Sequence, residues 1–160
     1  MSVIPEVAYQ MVEKKLRQRG KLIRKAEEAV TKARAKATDT SAPSGSVGSG
    51  RGGIPGSRVE RGAMSVIRAE KRLETAMKWE AVFRKMDEIF PAEDSSEGFV
   101  ASMIYGNGMS QADLARFTGC SRQTVKMRQD RYVIRAAFLA AQAGLIGEEV
   151  MDDGDADQKR

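Results

Sequence analysis

Apolar residues recur at steps of three and four over residues 5 to about 36, where Val12, Leu16, Leu22, Ile23, Ala26 and Val30 form one narrow stripe. That spacing predicts a single long helix. Pro5 suits its first turn, and Gly20 is the one other helix breaker before it ends. A stripe this thin packs against another helix, either of a partner subunit or of the same chain. The periodicity resumes over residues 58–90, with Val59, Ala63, Ile67, Met77, Val82, Met86 and Ile89 as the expected buried side and Pro91 as the stop. Trp79 and Phe83, one helical turn apart, are expected to anchor packing between helices rather than to bind a ligand. An acidic loop at 93–97 leads into a short apolar helix over 99–105, which Gly106, Asn107 and Gly108 should end.

Between the two long helical patterns, residues 38–57 are too rich in Ser and Gly to bury a core and read as a flexible linker. Gly48, Gly50 and Gly53 there match the spacing of a dinucleotide-binding loop. That fingerprint requires a preceding strand and a following helix in a βαβ unit, and the flanking sequence offers no strand. The expected class is all-α: an N-terminal basic helix (1–37), the linker (38–57), a helical domain (58–146) and an acidic tail (147–160).

The stretch that carries chemistry is Ser110-Gln-Ala-Asp-Leu-Ala-Arg-Phe-Thr-Gly-Cys-Ser-Arg-Gln-Thr-Val-Lys-Met-Arg-Gln-Asp-Arg. Ser110 is placed to cap a helix whose first turn holds Asp113, and Leu114, Ala115 and Phe117 are expected on its inner face. Gly119 supplies a tight turn, and Ser121 caps the next helix. A helix-turn-helix needs a small residue where the helices cross, glycine in the turn, and an apolar residue pointing back into the joint. Ala115, Gly119 and Val125 fill these places within 110–135, with Cys120 as a small plug beside the turn. The second helix should then present Arg122, Gln123, Thr124, Lys126 and Gln129 on or near its outward side, with Arg128 and Arg131 reaching phosphates. Arg and Gln make paired hydrogen bonds to guanine and adenine edges, which is the chemistry of base reading. The position three after Val125 is Arg128, where an apolar residue is commoner, so the rotation of this helix is open at this point.

Composition narrows the alternatives. In 160 residues there is no His and one Cys, which excludes a Cys/His zinc finger and an intramolecular disulfide, and leaves Cys120 without a base to activate it. Neither a secretory signal nor an apolar run of membrane-spanning length is evident, so a cytoplasmic protein is expected. The net charge of +5 is uneven: residues 1–38 carry +6, 50–90 carry +3 and 111–146 carry +4, whereas 147–160 carry −4. Basic charge on the folded parts favours a polyanionic partner. The acidic tail reads as a solvated segment able to compete with DNA, not as a metal-binding carboxylate cluster, and no catalytic residues, metal or cofactor are assigned.

Tyr105-Gly-Asn-Gly-Met-Ser-Gln-Ala-Asp-Leu-Ala, followed by Cys120-Ser-Arg-Gln-Thr-Val-Lys-Met-Arg, resembles the helix-turn-helix of phage late-gene transcriptional regulators of the ArpU and RinA type. That reader is itself similar to the promoter-reading region of sigma factors. The entry Gly56-Ser-Arg-Val-Glu60 and the order of long helices agree with this layout. The resemblance implies sequence-specific binding to double-stranded DNA near promoters and activation of late genes, with Ser121, Arg122, Gln123, Thr124 and Lys126 at the start of the recognition helix; the long helices are then expected to touch RNA polymerase or a second subunit. A homo-oligomer formed through the long helices is compatible with it. Two other readings stay open on the sequence: a DNA-packaging recognition subunit like a small terminase, and a non-enzymatic helical adaptor.

Overall fold

The computed structural model describes residues 4–39 and 58–147, and every regular element among them is helical. In chain order these are α1 (Glu6–Thr38), α2 (Arg58–Ile89), α3 (Ser96–Ala101), a π-helical stretch (Ser102–Gly106), α4 (Gln111–Thr118) and α5 (Arg122–Gln142). The linker assigned to 38–57 and the acidic tail at 147–160 lie almost wholly outside the described residues. None of the described helices is long and apolar enough to cross a membrane.

The described residues divide into two compact units, and the divisions fall within the long helices, between Gly20 and Lys21 and between Ala76 and Met77. The first unit contains the start of α1, the end of α2 and all that follows. Pro5 lends its carbonyl to the Tyr9 amide at 3.1 Å and so opens α1. Ala8, Val12 and Leu16 then recur at four-residue steps and are buried. On the end of α2, Trp79, Val82, Phe83 and Met86 are buried, and the Trp79 and Phe83 rings lie 5.7 Å apart, the packing role expected of them. After Pro91, Ser95 caps α3 by accepting from the Gly98 amide at 3.2 Å. Gly98 is where this corner needs glycine, because a Cβ there would overlap the Phe90 carbonyl oxygen. Both α3 and α4 pack on α5.

The second unit is a helical hairpin of residues 21–39 and 58–76. Its inward positions alternate by three and four: Ile23, Ala26, Val30 and Ala33 on α1, and Gly62, Val66, Ala69, Leu73 and Ala76 on α2. This is the repeat by which two helices keep one seam facing each other. Val30, Ala33 and Ala69 are buried, with Val66 and Leu73 packed against them. The small residues allow close approach, and a Cβ on Gly62 would lie 3.4 Å from Ala37.

Here the expected buried side of α2 requires correction. Val59 is 79% exposed and Ile67 56%, while Ala63, Met77 and Ile89 are also exposed; of the seven residues named for that side, Val82 and Met86 are buried. Two apolar stripes run along α2, and the buried one is the stripe that continues the three-four repeat of α1.

Candidate nucleic-acid interface

The stretch after α3 is built by local chemistry. In the π-helical segment the Asn107 amide reaches back to the Ser102 carbonyl at 3.1 Å, a ring one residue wider than an α-helical one. Ser110 caps α4 by accepting from the Asp113 amide at 3.1 Å, and its hydroxyl donates to the Asp113 carboxylate at 2.6 Å. Arg116 closes on the same carboxylate at 3.0 Å. The chain leaves α4 at Gly119, whose φ of 68° is a left-handed conformation favourable to glycine. Ser121 then caps α5, accepting from the Thr124 amide at 3.0 Å. Two helices are thus joined by a three-residue turn.

Leu114, Ala115 and Val125 share one buried cluster with Val100 and Ile104, and Cys120 packs against it. Phe117 does not join them. It is 68% exposed, because the buried face of α4 is narrow and Phe117 falls three residues past Leu114 on its rim.

The expected base and phosphate readers separate into groups. Arg122, Gln123 and Lys126 are exposed on the first turns of α5, and Arg122 and Lys126 make no ion pair with any described residue. Ser121 is exposed and Thr124 half-buried; their hydroxyls lie 2.9 Å apart in the cap. Arg128 is half-buried. Arg131 is exposed, and its guanidinium donates to Glu97 at 3.4 Å in an ion pair. Hydrogen bonds, from Ser96 foremost and also from Arg131 and Ser95, outweigh partial burial and lower the Glu97 carboxyl below its usual range.

Gln129 is the correction that matters most. It is 3% exposed, and its amide is fully engaged: Nε2 donates to Glu13 at 2.9 Å and to the Tyr105 hydroxyl at 2.7 Å, while Oε1 accepts from Gln111 at 2.6 Å. The inward face of α5 runs through Val125, Gln129, Tyr132, Val133 and Ala136. An outward rotation was expected for Gln129 because its side chain is polar, but four residues after Val125 it returns to the same face. This settles the rotation that Arg128 had left open, with Arg128 at the edge of the face.

The acids of this segment are engaged in hydrogen bonds of their own. Asp113 and Asp130 are the two acids within 111–146. The first belongs to the α4 cap, and the second accepts from the Tyr9 hydroxyl at 2.6 Å. Burial, and the nearby Asp130 carboxylate, hold the Tyr9 phenol protonated far above its ordinary range. Arg122 and Lys126, without ion pairs among the described residues, stand at the amide end of the α5 dipole, where the positive potential adds to theirs. Beside them lies a polar cleft of about 560 Å³ lined by Arg17, Ser110, Gln111 and Arg122, with Glu13 and Gln129 at its floor. Comparison with protein families, curated proteins and solved structures returns no match.

Sequence reasoning did not find Arg17, Glu13, Tyr9 and Tyr105 as neighbours of this surface. Arg17 stacks over the Tyr105 ring at 5.5 Å and pairs with Glu13 at 3.3 Å. Tyr9 stands 121 positions from Asp130 and Glu13 116 from Gln129, while Tyr105 is 24 positions before Gln129, and nothing in local periodicity links them to α5.

Proposed function

We propose that the chain is a non-enzymatic, sequence-specific binder of double-stranded DNA, and that α4, the Gly119 turn and α5 act as a helix-turn-helix with α5 as the recognition helix. One observation carries this reading: Arg122, Gln123 and Lys126 project from the capped start of α5, and neither Arg122 nor Lys126 forms an ion pair with a described residue. A solvated helix face made only for packing would have no reason to isolate its cations from available acids. Arg122 and Gln123 are the base readers, Lys126 and Arg128 the phosphate contacts, and Arg131 joins them once released from Glu97. Arg17, at the rim of the adjoining cleft, is a further phosphate contact supplied by α1.

The finer reading is a phage late-gene transcriptional regulator of the ArpU and RinA type, supported by the likeness of 105–128 to that reader. Partners on this reading are promoter DNA and RNA polymerase in the bacterial cytoplasm. The test is to incubate the full chain with sheared genomic DNA at about 150 mM salt, where the phosphate-driven background is suppressed, and to sequence the fragments retained. Enrichment upstream of transcription start sites is expected. Enrichment confined to a packaging locus would replace the regulator by a packaging subunit, and no enrichment would leave a helical adaptor.

A further inference from the structure

The hairpin unit is the most strongly charged surface outside the α4–α5 reader. Its described residues contain eleven Lys and Arg against six Asp and Glu. An open groove of about 730 Å³ runs between its two helical segments, lined by Lys32, Lys36, Arg61, Arg68 and Arg72, with Glu60 as the acid in the lining. None of these five cations forms an ion pair with a described residue. None of the three arginines has an acid three or four positions away. Instead Arg68 and Arg72, and likewise Lys32 and Lys36, are like charges at i and i+4, an arrangement that destabilises a helix.

Away from the groove the same hairpin pairs its charges: Arg24 with Glu28 at 3.7 Å and Arg34 with Glu70 at 2.6 Å. Acids are thus available, yet the groove is kept positive at a cost to the helices. A bound polyanion relieves that repulsion.

We propose that this groove is a second contact for duplex DNA, one that holds the phosphate backbone without reading bases. Its choice of ligand rests on the DNA-binding reading above. Arg61 and Arg72 lie eleven residues apart, about 16 Å at 1.5 Å per residue. A duplex carries one negative charge per about 1.7 Å of axis, so a stretch of that length offers more phosphate charges than the groove has cations. The lining contains no aromatic side chain on which an unpaired base could stack, which argues against a single strand.

The test measures the affinity of the full chain for a labelled duplex of unrelated sequence as a function of salt. Two variants with the same change in charge are compared: Arg68→Gln with Arg72→Gln in the groove, and Arg24→Gln with Arg34→Gln away from it. Each lost phosphate contact reduces the slope of log K against log salt by about 0.9. The groove variant should therefore lose close to 2 in slope and bind roughly tenfold more weakly per contact at about 0.1 M salt. The control pair should keep the wild-type slope, and both should keep the wild-type preference among sequences. Equal shifts in the two variants would reduce the effect to net charge and overturn the groove, as would no shift in either. If the wild-type chain prefers one sequence through Arg122 and Gln123 while the groove variant keeps its full slope, the groove fails alone. If the wild-type chain binds no duplex even at low salt, the DNA-binding reading fails and the groove with it.

Discussion

Replacing Gln129 by Leu distinguishes a structural amide from a base-reading one. The substitution keeps approximate size but removes three hydrogen bonds, to Glu13, Tyr105 and Gln111. The two neutral bonds contribute about 1 kcal/mol each and the bond to the carboxylate about 2 kcal/mol. Glu13 retains 25% of its side-chain exposure and recovers part of its loss from water, and the leucine gains some apolar burial. The net expectation is a destabilisation of about 2 kcal/mol. Urea unfolding followed by the fluorescence of Trp79 measures it directly, since Trp79 is the one tryptophan and is fully buried in the same unit. Glu13→Gln, which leaves a polar group able to bond Gln129, should cost less. A Gln129→Leu chain that unfolds at the wild-type midpoint but loses its preference among duplex sequences would refute the inward placement of this residue and the rotation of α5 derived from it.

Arg122→Ala and Gln123→Ala should each relax base preference by about 1–3 kcal/mol without changing the urea midpoint, while Lys126→Ala should weaken all sequences alike; competition binding against a panel of duplexes separates these outcomes. Gly98→Ala forces a methyl group against the Phe90 and Pro91 carbonyls, backbone atoms that cannot swing aside, and should destabilise by about 1–3 kcal/mol or more by urea unfolding. Burial, with smaller help from Asp87, pushes the Tyr132 phenol up to about 12. Its folded value exceeds its unfolded value near 10, so the associated stability is intact below pH about 10 and falls by about 1.4 kcal/mol per pH unit between about 10 and 12. Tyr9 and Tyr105 are shifted in the same direction, also chiefly by burial, so tyrosinate absorbance should rise together with unfolding rather than before it.

What the sequence determined by itself is what neighbouring residues decide among themselves. The helices, the stop at Pro91, the caps at Ser110 and Ser121 and the left-handed turn at Gly119 rest on bonds spanning three or four positions, and each was readable from residue type and spacing. The small-residue joint of Ala115 and Val125 was legible for the same reason, since the turn between them is short. Tertiary structure alone decided which surface each helix turned inward. α2 has two apolar stripes of similar hydrophobicity, and the choice of Val66, Ala69 and Leu73 over Val59, Ala63 and Ile67 depends on the matching repeat of Val30 and Ala33 on a helix some forty residues earlier. Phe117 was left outside, and Gln129 was taken in, against their individual hydrophobicities. A buried amide is tolerable only when each of its polar atoms finds a partner. Those partners come from Glu13, Tyr105 and Gln111, brought together by the fold from 116, 24 and 18 positions away.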